Sequence, residues 1–65
     1  MIALAIDAMG GDFAPRAVVE GIGEALDSNP LIDRLFLVGD EARISTELQR
    51  TGKAGDSRLE IVHTD

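Results

Sequence analysis

The residues best placed to do chemistry are Asp7, Gly10, Gly11 and Asp12, near the start of the chain, and His63 near its end. Two glycines in succession carry no β-carbon, so the backbone can turn sharply there and, with positive φ, aim amides at an anion. Asp7 and Asp12 flank that turn, and each has two readings. Either Asp7 hydrogen-bonds neighbouring loop amides and Asp12 caps the following helix, or both touch a substrate directly. Gly10 and Gly11 form either an ordinary tight turn or a ligand contact. His63 is either a hydrogen-bonding loop residue or a proton carrier. Two carboxylates beside an incoming phosphate raise its binding cost unless cations offset them, and Arg16 is the only local candidate. The chain has no cysteine, hence no disulfide, thiolate nucleophile or cysteine metal site. No other residue stands out as a covalent nucleophile.

The elements around these residues follow from pattern. Ile2 to Ile6 is a wholly apolar run ending at Asp7, which reads as a buried parallel strand with a polar group at its tip. Pro15 suits the first turn of a helix, where its missing N–H costs nothing. Val18, Val19, Ile22, Ala25 and Leu26 recur at helical spacing opposite Arg16, Glu20, Glu24 and Asp27, giving an amphipathic helix of roughly 13 residues. Gly21 and Gly23 each cost about 1 kcal/mol within it, which predicts close packing against the sheet. They are not a dinucleotide fingerprint, because Leu26 stands where the third glycine belongs and the glycines lie inside the helix. Ser28-Asn29-Pro30 ends the helix.

Leu35 to Val38 reads as a second buried strand, closed by Gly39-Asp40. Asp40 is placed to cap a helix from Glu41 to about Arg50, with Ile44 and Leu48 inward and Arg43 paired to Glu47 on the surface. Residues 51–57 form a polar loop. Its Gly52-Lys53 lacks the preceding glycine and following hydroxyl of a phosphate-binding loop. Arg58 to His63 is a third strand. The order β-α-β-α-β predicts an α/β fold with a parallel sheet and right-handed crossovers. Asp7, Gly39 and His63 then share the edge at the strand tips, where open α/β sheets bind ligands. Met1 and Met9 look like packing residues.

A chain of 65 residues buries only about 60% of the surface it exposes when unfolded. Its formal net charge of −6 argues against nonspecific binding to nucleic acid or anionic lipid. The opening apolar run is too short for a signal peptide or a membrane span, so a soluble cytoplasmic protein is expected.

Asp7-Ala8-Met9-Gly10-Gly11-Asp12-Phe13-Ala14-Pro15, followed by Ala17-Val18-Val19-Glu20-Gly21, Leu37-Val38-Gly39-Asp40 and Ile61-Val62-His63, resembles the opening of a known family in order and spacing. That family is the bacterial phosphate acyltransferases of phospholipid synthesis, the acyl-acyl carrier protein:phosphate acyltransferases (PlsX). Many members carry histidine where this sequence has Phe13, which argues against a catalytic imidazole at that position. The resemblance implies a three-layer, Rossmann-like α/β fold similar to phosphotransacetylases and isopropylmalate dehydrogenases, of which residues 1–65 are the N-terminal part of a single domain. It also implies a homodimer that takes acyl groups from acyl carrier protein to inorganic phosphate by direct attack. No metal or organic cofactor is implied, and peripheral membrane association is compatible with it. On that resemblance Asp7, Gly10, Gly11, Asp12 and His63 are substrate-binding, and the 65 residues alone are expected to be inactive. Two other classes fit the pattern: a nucleotide-binding α/β domain of an oxidoreductase or kinase, and a non-catalytic module that pairs through its sheet edge.

Overall fold

Strand and helix alternate as β1 (Ile2–Asp7), α1 (Arg16–Ser28), β2 (Ile32–Gly39), α2 (Glu41–Arg50) and β3 (Leu59–His63), in a computed structural model that describes residues 2–64. Met1 lies outside them. The strands form one parallel sheet in the order β1-β2-β3. Leu4 stands beside Leu35 and Ile6 beside Leu37, while Leu59 and Ile61 flank the same two leucines from the other side. Side chains alternate across a sheet, so these residues share one face. That face meets Val19, Ile22 and Leu26 of α1 and Ile44 and Leu48 of α2 in a single buried cluster. Both helices therefore cover the same side, and the two crossovers have the same hand.

The described residues thus build two layers of the expected three-layer arrangement. Ala3, Ala5, Phe36, Val38, Glu60 and Val62 lie on the opposite face by register. This corrects the reading of β1 as a buried strand: it is an edge strand, with Ala3, Leu4 and Ala5 exposed. A short apolar run shows that a strand is suited to burial on both faces, but not that both covering layers lie within these residues. β2 likewise begins at Ile32 rather than Leu35. Its exposed Asp33 and Arg34 mask the start, and the Asp33 carboxylate accepts the Ile2 amide at 3.1 Å.

Two expectations for the helices change. A β-carbon at Gly23 would meet Lys53 Cε at 3.4 Å, whereas Gly21 faces open space. The 3.4 Å separation is an ordinary van der Waals contact, so neither glycine is required by close packing against the sheet. Arg43 does not pair with Glu47. Arg50 takes Glu47 at 2.7 Å and also reaches Glu20 on α1 at 3.0 Å. An arginine that precedes its acid by four residues is the weaker orientation on a helix, which leaves Glu47 to Arg50.

The α2–β3 loop is anchored by Arg58. It grips Asp56 with Nε at 3.0 Å and Nη2 at 2.7 Å, and it donates to the Leu26 carbonyl at 3.1 Å, serving a helix whose last turn holds no basic residue. The Arg58 side chain, followed by the Arg58 amide, holds the Asp56 carboxyl down at about 2, from an ordinary 3.8. A depressed folded-state pKa contributes stability that is complete above the unfolded value and is lost as pH falls through the folded one. The urea midpoint should therefore drop between about pH 4 and about pH 2, and Asp56→Asn should flatten that drop. An undiminished acid slope in Asp56→Asn would remove this loop from the account.

Candidate functional site

The site is built at the C-terminal tips of the strands. Asp7 ends β1, and its Oδ1 accepts the Met9 amide at 2.9 Å, closing a local turn. The Ala8 amide donates to the Val38 carbonyl at 2.9 Å, which extends the ladder and carries Ala8 into full burial. Met9 then crosses over Gly39. A β-carbon at Gly39 would overlap Met9 Cγ and lie 3.2 Å from Ile44 Cδ1, so the close approach requires glycine. Beyond Met9 the chain rises into solvent through Gly10, Gly11 and Asp12, with φ of 97° at Gly11. Phe13 follows, 79% exposed. The loop returns at Ala14, whose carbonyl accepts from Arg43 Nη2 on α2 at 3.3 Å.

The two helix N-termini differ. α1 has Pro15 at its N-cap, no side-chain cap and no acid in its first turn. Asp12 therefore does not cap α1. A preceding turn, in which the Ala17 amide donates to the Phe13 carbonyl at 3.1 Å, moves the helix start past its reach. The α2 terminus is closed by two side chains. Asp40, the expected cap, accepts the Arg43 amide at 3.2 Å, and His63 Nδ1 accepts the Glu41 amide at 3.1 Å. The Thr64 amide donates to the Gly39 carbonyl at 2.9 Å, continuing the β2–β3 ladder past His63.

A cleft of about 360 Å³ opens between these tips, lined by Asp7, Met9, Gly39, Asp40, His63 and Thr64. On the other side of His63 lies a hollow of about 460 Å³, lined by Asp40, Glu41, Ala42, Ser45 and His63. Asp7 and His63, far apart in sequence, thus meet in one cleft. Gly10, Gly11 and Asp12 are not in its lining; they stand on the adjoining loop. Met9, Asp40 and Thr64 are lining residues that pattern reading did not single out as site residues. The rule that ligands meet parallel strands at their tips pointed to the flanking positions of Gly39 and His63.

The electrostatics are one-sided. The acidic residues Asp7, Asp40 and Glu41 line the two hollows, and among the described residues no lysine or arginine does. Arg16 is held by Glu20 at 3.2 Å and borders a separate hollow with Arg43. Two arginines hold the Glu20 carboxyl below its ordinary range, Arg16 foremost and then Arg50. Among the described residues no three of His, Cys, Asp or Glu are grouped to hold a metal, and no helix is long and apolar enough to cross a membrane.

The model of a family described as fatty acid synthesis protein matches residues 2–65. A phosphate acyltransferase of Vibrio cholerae serotype O1 is 44% identical over 64 residues, covering 98% of this chain and 18% of that protein. A phosphate acyltransferase of Streptococcus equi subsp. equi is 47% identical over 62 residues, covering 95% of this chain and 17% of that protein. The chain thus spans less than a fifth of the length of these curated relatives. With a family match that takes in every strand and helix described above, the chain belongs to the fatty acid synthesis protein family.

Proposed function

We propose that residues 1–65 are the N-terminal part of a single α/β acyltransferase domain that moves a fatty acyl group from acyl carrier protein to inorganic phosphate, forming acyl phosphate for phospholipid synthesis. The observation that carries this reading is the meeting of Asp7 and His63 in one cleft at the strand tips, beside a glycine loop that leads into an uncapped helix N-terminus. In this reading Asp7, Gly10, Gly11, Asp12 and His63 bind substrate. The loop amides and the positive end of the α1 dipole attract phosphate. The cleft carboxylates oppose it, so the balancing cations come from elsewhere in the domain or from a second subunit of a homodimer. A phosphate oxygen attacks the thioester carbonyl directly, with amides orienting it and stabilising the oxyanion. We place the reaction in the cytoplasm, where acyl carrier protein delivers its thioester.

The test is acyl phosphate formation, trapped with hydroxylamine, by the complete gene product given acyl-acyl carrier protein and phosphate. Product formation that depends on both substrates is the expected result, and its absence overturns the reading. The 65-residue chain alone should form none, because it holds one lip of the cleft and neither hollow beside His63 is lined by a lysine or arginine among the described residues.

A further inference from the structure

The two edges of the sheet are unlike. β3 is five residues long and carries the exposed Glu60 in its body, a charge of the kind that blunts an edge strand against further pairing. β1 has no such guard. It is wholly apolar from Ile2 to Ile6, with a charge only at its tip, and its irregularity against β2 falls at its start, between Ile2 and Ala3. The Ala8 amide donates to the Val38 carbonyl of β2. Backbone groups alternate along a strand, so the amides of Leu4 and Ile6 also point to β2, while those of Ala3, Ala5 and Asp7 point to the free edge. A row of backbone donors and acceptors is thus presented by a strand whose sequence suits the interior of a parallel sheet.

We propose that a parallel strand contributed by the rest of this protein pairs along the free edge of β1, and that the ligand crevice at the glycine loop opens between β1 and that strand. The curated relatives carry more than four-fifths of their length outside the part that matches this chain, ample for such a strand and its crossover. From β1 through β2 to β3 the chain steps one way across the sheet, with both helices on one face. A right-handed crossover back to the outer side of β1 has to run over the opposite face. That face is the open one, where Ala3, Ala5 and Val62 are exposed and Phe36 and Val38 half-buried. One return connection therefore pairs the apolar edge and covers the apolar face. A symmetric second copy would instead set its own β1 antiparallel along this edge. At a reversal of strand order the loops after the two adjacent strands lead to opposite faces and leave a crevice at their tips. The β1–α1 loop is one of those loops. Gly10, Gly11 and Asp12, which do not line the cleft of Asp7 and His63, thereby gain an opposing wall.

Residue-resolved amide hydrogen exchange on the complete gene product tests the pairing. The amides of Leu4 and Ile6 face β2 and set the reference on either side of Ala5. The expected result is that the Ala5 amide, corrected for intrinsic rates, exchanges within about tenfold of that reference. Exchange faster than that overturns the proposal, because an edge strand leaves Ala5 to solvent. Nuclear Overhauser contacts of the Ala5 amide proton then identify the partner. Contacts to a parallel strand of the same chain, outside residues 1–65, are expected. An antiparallel partner, or contacts found only between isotope-labelled and unlabelled copies, overturns the proposal in favour of pairing between two molecules. Neither measurement involves acyl transfer, so failure here is distinct from failure of the acyltransfer reading.

Discussion

Leu37→Ala is expected to lower the unfolding free energy by about 2–5 kcal/mol. Leu37 is fully buried on the central strand, flanked by Ile6 and Ile61 in register, and it lies in the cluster that both helices share. Truncation removes the transfer energy of its lost carbons and leaves a cavity that a sheet residue pinned on two sides cannot readily close. At roughly 0.05–0.15 kcal/mol per residue a chain of this size holds only several kcal/mol in all, so the variant should be largely unfolded near 37 °C. Urea denaturation followed by far-UV circular dichroism measures the effect. Leu31→Ala is the control: Leu31 is 63% exposed, and a change there should stay within about 0.5 kcal/mol. Equal midpoints for the two variants would mean that the core does not sit between β2 and the helices.

The contrast between these leucines shows which parts of the molecule are legible in the sequence. Local chemistry set α2 from Glu41 to Arg50, because Asp40 can cap and the apolar spacing of Ile44 and Leu48 admits one inward face. The meeting of Asp7 and His63 followed from topology, since the tips of parallel strands share an edge. Features decided by distant residues did not show. β2 starts at Ile32 because its open face tolerates Arg34, and pattern alone cannot tell an open face from a turn. Asp12 had the right residue type for a cap, yet the turn at Phe13 displaced the helix start. Gly23 has Lys53, thirty positions on, as its neighbour instead of the sheet. Gly10 and Gly11 could be read as a turn, but their place on the loop above the cleft depends on where Met9 and Ala14 are tied down.

Gly39→Ala should cost about 1–3 kcal/mol and displace the Gly10–Gly11 loop. The added methyl would overlap Met9 Cγ and lie 3.1 Å from Met9 Sδ and 3.2 Å from Ile44 Cδ1. Ile44 is fully buried and has nowhere to retreat, so Met9 must move. Its amide is tied to the Asp7 carboxylate at 2.9 Å, so that movement strains the turn at the head of the glycine loop. The source of the cost can be isolated by a double-mutant cycle. With Met9→Ala in place the obstructing side chain is gone, and Gly39→Ala should become cheaper by about 1 kcal/mol or more. Amide chemical shifts of Asp7, Gly10 and Gly11 should change in Gly39→Ala and return toward wild type in a chain that pairs it with Met9→Ala. Strict additivity of the two changes, with those amides unmoved, would show that Met9 does not lie over Gly39. The glycine loop would then lose the anchor that sets its height above the cleft.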